Sequence, residues 1–265
     1  MHRKRFSILI VLAALCWSAA VPPQRPTLYL IGDSTVKNGG DKGDGGMWGW
    51  GHYINDFFDT TRLHIENHAI GGRSSRTFLT EGRWTKIMAN LKPGDFVMMQ
   101  FGHNDAGAIN DTSRARGTIR GTGDETQEID NLLTKKHEIV HSYGWYMRNY
   151  VREAKAKGAT PIVLSLVPRN VWKNGKVVRS ADDYGKWAAD IAKAEGACFI
   201  DLNGLVAKKY DAVGDSTTLQ STYFMKDHTH TNEAGAKVNA ASVIDGLQQL
   251  NDCSLTKYIV SRYRK

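Results

Sequence analysis

A serine hydroxyl is a weak nucleophile at neutral pH. It attacks a carbonyl only when a base stands within hydrogen-bond reach and a third group orients that base. The 265-residue sequence offers residues of those types. Ser34 closes the run Leu28-Tyr29-Leu30-Ile31-Gly32-Asp33-Ser34, an apolar stretch ending in a glycine turn. Far along the chain, Asp227-His228-Thr229-His230 sets a carboxylate three residues before an imidazole. In a loop, that separation lets the carboxylate hold one ring nitrogen while the other faces the serine. Asn232 and Glu233 are start signals for a helix immediately afterwards, which would fix the loop. Acyl transfer also needs donors aimed at the oxyanion of the tetrahedral intermediate. Gly72, in Gly71-Gly72-Arg73-Ser74, and the side-chain amide of Asn104, in Gly102-His103-Asn104-Asp105, are groups of the required type. Each feature alone reads equally as a turn, a cap or a surface loop; the argument rests on their conjunction.

A metal pattern competes. His137-Glu138-Ile139-Val140-His141 satisfies His-Glu-x-x-His, in which two histidines one helical turn apart bind zinc and the glutamate acts as base. The third histidine of the longer metalloprotease pattern would fall at position 147, which is Met147. The same stretch serves as a helix with Ile139, Val140, Tyr143, Tyr146, Met147 and Tyr150 on a packed face. Zinc proteolysis through His137, Glu138 and His141 is therefore the secondary reading, and no metal or other cofactor is expected. His228 and His230 form a His-x-His pair with no third ligand suggested. Trp48 and Trp50 are of a type that stacks on sugar rings, which keeps a non-catalytic carbohydrate-binding protein as a further alternative. They serve as readily to pack the start of a helix.

These groups need elements to place them. Short apolar runs at 28–31, 63–65, 96–100, 162–167 and 198–202 read as five buried strands. Helical spacing runs through 138–157, 181–195 and 232–250. Such alternation predicts a parallel sheet between helices, with the ligand site beyond the carboxyl ends of the strands. The candidate residues all follow a strand or precede the last helix. The 114–128 stretch, rich in Gly, Thr and charge, reads as an inserted loop near the site.

Composition sets the class. With 41% hydrophobic and 23% charged residues, the chain has the make-up of one globular domain, not of a disordered segment. His2-Arg3-Lys4-Arg5, an apolar run and Ser18-Ala19-Ala20 form a signal-peptide pattern over residues 1–20, so secretion to the periplasm or the exterior is expected. The run is too short for a membrane anchor, and no stable membrane insertion is expected. Of the net charge of +8, three units sit in Arg3, Lys4 and Arg5 and four in Lys257, Arg262, Arg264 and Lys265, leaving +1 for the rest. A near-neutral body with no basic stripe excludes nucleic acid as a partner. Residues 251–265 read as a basic, solvated tail. Export leaves Cys198 and Cys253, whose pairing spacing does not determine.

Gly32-Asp33-Ser34-Thr35, Gly72, Gly102-His103-Asn104-Asp105 and Asp227-His228-Thr229-His230 together resemble the four signature blocks of the SGNH (GDSL-like) hydrolase superfamily, with coverage over residues 26–250. Gly72-Arg73-Ser74-Ser75-Arg76 and Gln100-Phe101-Gly102-His103-Asn104-Asp105 are similar to the blocks of rhamnogalacturonan acetylesterases. Thr35 departs from the superfamily's leucine and agrees with that subgroup. The resemblance implies a flavodoxin-like three-layer α/β/α sandwich with a five-stranded parallel sheet and no metal. It implies Ser34 as nucleophile, His230 as general base and then acid, and Asp227 as the orienting carboxylate. The oxyanion would be held by the Ser34 and Gly72 N–H groups and the Asn104 amide. The implied substrate is an acetylated acidic polysaccharide of the pectin type, with acetylated xylan as the alternative glycan. Arg73 and Arg76 are then candidates for bidentate contact with galacturonate carboxylates.

Overall fold

A computed structural model describes residues 25–40 and 42–264. The expected signal peptide at 1–20 lies outside them. The central sheet has five parallel strands, β1 (Thr27–Gly32), β2 (His64–Asn67), β3 (Phe96–Gln100), β6 (Thr160–Leu164) and β9 (Cys198–Ile200), in the order β2-β1-β3-β6-β9. All five match the strands read from the sequence. Side chains alternate across a pleated strand, and these strands divide their apolar residues accordingly. Leu28, Leu30, Phe96, Met98, Ile162 and Leu164 join one core. Tyr29, Ile31, Val97, Met99 and Val163 join the other. Both faces are buried, which is why the strands read as continuous apolar runs rather than alternating ones.

The first core is closed by α5 (Leu202–Asp211), α6 (Ser216–Tyr223) and α7 (Glu233–Leu247). The second is closed chiefly by α3 (Tyr143–Ala156) and α4 (Tyr184–Glu195), with the short α1 (Ser75–Thr80) and α2 (Arg83–Met88). This is the expected α/β/α sandwich. Strand order reverses between β1 and β3, so the crevice of an open α/β sheet lies at their carboxyl ends. Two antiparallel hairpins are added, β4 (Thr126–Asp130) with β5 (His137–His141), and β7 (Trp172–Lys173) with β8 (Lys176–Val177).

Three features differ from the sequence reading. The helix expected over 138–157 begins only at Tyr143, capped by Ser142 Oγ accepting from the Trp145 N–H at 3.0 Å. Its first residues instead form β5, with Val140 buried and Ile139 turned outward. The helix start that Trp48 and Trp50 would pack is not α-helical; the turn at Ser34 leads into single-turn 3₁₀ segments at Trp50–His52 and Ile54–Phe57. The tail expected to be solvated buries Cys253, Leu255, Tyr258 and Ile259, and Val260 N–H donates to the Phe57 carbonyl at 3.0 Å. Its charges ride on an apolar strip that completes the first core. Among the described residues no helix is long and apolar enough to cross a membrane.

Candidate active site

The turn after β1 is held by a buried polar chain. Asp33 Oδ1 accepts from the Thr35 N–H at 2.8 Å and from Thr35 Oγ1 at 2.7 Å. Gln100 Nε2 donates to Thr35 Oγ1 at 2.6 Å, and Trp50 Nε1 donates to Gln100 Oε1 at 2.9 Å. Threonine at 35 is thus the group through which β3 braces the turn on β1, a bond a leucine side chain could not make. Trp50 is buried and spent on this contact, so it is not a sugar platform. Gly32 is needed because a Cβ there would stand 2.7 Å from both the Gln100 carbonyl oxygen and Val36 Cγ2.

Ser34, at the tip of this turn, meets a residue 196 positions away. Its Oγ lies 2.8 Å from His230 Nε2, and His230 Nδ1 lies 2.7 Å from Asp227 Oδ2. A carboxylate only accepts, so Nδ1 carries the proton and Nε2 presents its lone pair to the serine hydroxyl. Asp227 Oδ1 also accepts from the Thr229 N–H at 2.7 Å and the His230 N–H at 2.8 Å. Burial opposes the charge on Asp227, but these bonds from the His230 ring and the two N–H groups outweigh it and hold the carboxyl at about 2. The loop is seated at its C-terminal end. Thr231 exchanges two 2.9 Å bonds with the backbone of Trp48, and Asn232 caps α7 by accepting from the Gly235 N–H at 3.0 Å. His228 contributes its carbonyl, which accepts from the Asn170 N–H at 2.7 Å.

Two loops complete the surroundings. A Cβ on Gly71 would lie 3.8 Å from Ser34 Cβ, which places the Gly71-Gly72 turn beside Ser34. Gly72 has φ of +79°, a left-handed conformation that glycine adopts without penalty. Asn104 spends one amide hydrogen on the Arg73 carbonyl at 2.9 Å, which leaves its second N–H free to point elsewhere. Beneath them sits Asp105, fully buried, accepting from the Ser75 N–H at 3.1 Å and the Gly102 N–H at 3.0 Å. It ties the loop after β3 to the start of α1. Burial pushes its carboxyl up to about 7, against the bonds from Ser75 and Gly102. His103, two residues earlier, is buried as well; burial draws its imidazole down to about 4, and the Arg169 guanidinium lies 3.4 Å from its Nδ1.

The profile of the GDSL-like lipase/acylhydrolase family matches residues 30–238, from β1 into α7. The chain belongs to that family. This GDSL-like hydrolase is 34% identical to a rhamnogalacturonan acetylesterase of Emericella nidulans over 214 residues, 81% of each chain. It is 31% identical to a probable rhamnogalacturonan acetylesterase, YesY, of Bacillus subtilis, over 88% of this chain and 97% of that one. Among solved structures it superposes on the YxiM protein of Bacillus subtilis with a TM-score of 0.68 at 26% identity, covering 85% of this chain and 56% of that longer one. An acetylxylan esterase of Geobacillus stearothermophilus, 17% identical, shares the fold with a TM-score of 0.58 over 89% of this chain and 97% of its own. The GDSL-like hydrolase is accordingly a carboxylic ester hydrolase.

The structure does not bring every expected site residue together. Ser34, Asp227 and His230 meet, and Gly72 lies on the turn next to Ser34. Arg73 is one-third exposed and bonded to Glu81 at 3.0 Å. Arg76 does not reach the surface at all. Its side chain is 0% exposed, and its donors are consumed by Glu138, at 2.7 Å to each oxygen, and by the Ile109 and Gly117 carbonyls. Fully buried, it cannot reach a substrate. The His-Glu-x-x-His match fails for a related reason. On a strand, His137 and His141 stand about 13 Å apart along the chain, too far to share an ion bound at about 2 Å. Glu138 is bound to Arg76, and His141 stacks on Trp145 at 3.8 Å. No cluster of three metal-ligating side chains occurs among the described residues. Thr35, Asp105 and Arg116 are the residues that motif reading left without a role. Arg116 donates to the Gly72 carbonyl at 3.1 Å, and only contact across 44 residues reveals it.

Proposed function

We propose that this GDSL-like hydrolase removes O-acetyl groups from a pectic polysaccharide of the rhamnogalacturonan class, through an acyl-enzyme formed on Ser34, after export from the cell. The observation that carries the chemistry is the unbroken line from Ser34 Oγ to His230 Nε2 and from His230 Nδ1 to Asp227. Ser34 Oγ attacks the acetyl carbonyl carbon while Nε2 takes its proton. The oxyanion faces the N–H groups of Ser34 and Gly72 and the remaining N–H of Asn104. Collapse expels the sugar hydroxyl, which takes its proton from Nε2, and leaves acetyl on Ser34. Water then attacks that ester with the same histidine as base, releasing acetate and restoring the serine. Asp227 stays charged throughout, because the bonds that hold its carboxyl low persist when the ring is an imidazolium.

Two relatives named as rhamnogalacturonan acetylesterases, matched over four-fifths or more of this chain, support the substrate class. The signal-peptide pattern of residues 1–20 supports export, since pectic polymers lie outside the cell. The test is acetate release from acetylated rhamnogalacturonan, run beside acetylated xylan and with a chelator present. The proposal expects chelator-resistant release with preference for the pectic polymer. Equal or greater release from xylan would move the substrate class, and loss with the chelator would overturn the serine mechanism.

A further inference from the structure

The segment between β3 and α3, residues 101–142, does more than connect. Its hairpin is pinned to the body through Arg76, which holds Glu138 and the Ile109 and Gly117 carbonyls. Within it, Asp111 Oδ1 accepts from the N–H groups of Ser113 at 2.9 Å, Arg114 at 2.6 Å and Ala115 at 2.9 Å. These bonds turn the chain so tightly that Ala115, buried and not a glycine, adopts φ of +39°. A left-handed non-glycine residue persists only where its surroundings over-determine it, and such residues cluster at binding sites. The turn brings out an arginine on each side, Arg114 and Arg116.

Both arginines line a cleft of about 480 Å³ that also takes in Gly71, Gly72 and Arg73, and so opens beside the nucleophile. Such a volume is ordinary for a ligand pocket. The cleft's charge is unbalanced. Its carboxylate, Glu81, is already shared between Arg73 at 3.0 Å and Arg83 at 2.6 Å. Asp111 lies nearby, but its Oδ1 is committed to the turn. Neither Arg114 nor Arg116 forms an ion pair among the described residues. Burial, with Arg114 adding to it, draws the Arg116 guanidinium below its ordinary value, against the pull of the Asp33, Asp105 and Asp111 carboxylates.

We infer that Arg114 and Arg116, with Arg73, form a subsite for the carboxylate of a uronic acid residue in the polysaccharide, adjacent to the sugar whose acetyl group faces Ser34. The inference rests on the pectic reading for its substrate. Guanidinium groups present paired, coplanar N–H donors that match a carboxylate, and a neutral glycan would cover Arg114 and Arg116 without supplying either with a carboxylate. Through its bond to the Gly72 carbonyl, Arg116 also couples the occupant of this cleft to the peptide turn beside the nucleophile.

The test reads inhibition of the turnover of a neutral aryl acetate by unacetylated oligosaccharides. One inhibitor is a galacturonate-containing oligosaccharide and the other is the same oligosaccharide with its carboxyl groups reduced to alcohols. In the unaltered protein the inhibition constant is expected to be about tenfold lower for the carboxylate form, the worth of one charge-assisted contact. The ratio is expected to fall to within about twofold in Arg114→Ala and to stay intermediate in Arg114→Lys, which keeps the charge without the fork. A ratio near one in the unaltered protein overturns the subsite, as does an unchanged ratio in Arg114→Ala. Because the ratio is taken within each protein, altered turnover cancels. A tenfold ratio without acetate release from rhamnogalacturonan would leave the uronate subsite standing and overturn the pectic reading. Release with a ratio of one would do the reverse.

Discussion

Two side-chain pairs serve the surroundings of Ser34, and they are built in opposite ways. Asp227 and His230 are three residues apart, joined by one side-chain bond, with side chains 45% and 28% exposed. Arg76 and Glu138 are 62 residues apart, joined at both oxygens, with side chains 0% and 18% exposed. The exposed pair sits where an ester and a water molecule can reach it, as a proton carrier must. The buried pair is out of reach of any substrate and fixes the inserted segment against α1. Residue type alone ranks both arginines of the Gly72-Arg73-Ser74-Ser75-Arg76 block as substrate ligands. Burial separates them, leaving Arg73 at the cleft and making Arg76 a fastening.

The comparison breaks most visibly at its exposed end. Asp227→Asn keeps an oxygen for the Thr229 and His230 N–H groups but frees the ring to adopt the wrong tautomer, so kcat is expected to fall about 10⁴-fold. The melting temperature should move by no more than about 2 °C, which calorimetry checks. Retained activity would mean that the carboxylate does not orient the histidine. At the buried end the pattern reverses. Arg76→Ala leaves Glu138 without its cation and is expected to cost about 3–5 kcal/mol of stability, a fall on the order of 10 °C in melting temperature. Any loss of rate should be the same on an aryl acetate and on the polysaccharide, and a KM rise confined to the polysaccharide would return Arg76 to the substrate site.

Asn104→Ala sharpens the division between oxyanion donor and loop cap. Loss of a donor to the transition state lowers kcat by about 10²–10³-fold with KM little changed, whereas loss of the bond to the Arg73 carbonyl alone would appear as a small shift in stability. The smallest effect is a pH dependence with two signs. The Asp227 carboxyl is held at about 2 in the folded protein, below its ordinary 3.8, so its stabilising contribution is present above about pH 4 and lost as pH falls through 2. The Asp105 carboxyl is pushed up to about 7, so its contribution is present below about pH 4 and lost as pH rises through 7. Melting curves of Asp105→Asn beside the parent protein should show the parent alone losing stability between pH 4 and 7. Parallel curves would show that Asp105 is charged throughout.

The sheet was legible because its central strands β1, β3 and β6 are buried on both faces and carry apolar runs. The triad was legible because Ser34 and His230 each sit in a short motif tied to the end of an element. The β4–β5 hairpin was not. His137-Glu138-Ile139-Val140-His141 carries apolar residues at positions compatible with a helix, and its partner strand, Thr126–Asp130, is mostly exposed and polar, with Ile129 its buried residue. Strand pairing there is decided by contact with Arg76 and Asn131, not by local pattern. Arg116 escaped for the same reason, since its bond to Gly72 spans 44 residues. The C-terminal strip misled because Lys257 lies between the buried Leu255, Tyr258 and Ile259 and the arginines follow them, and counting charge overlooked the spacing of apolar side chains.

The central claim is that Ser34, activated by His230, attacks the acetyl ester. It is tested most directly by incubating the protein and Ser34→Ala with acetylated rhamnogalacturonan, measuring released acetate and recording the intact mass of the protein during turnover. The account predicts release by the parent protein with a transient gain of one acetyl group at Ser34, and neither signal in Ser34→Ala. Undiminished release by Ser34→Ala would contradict it.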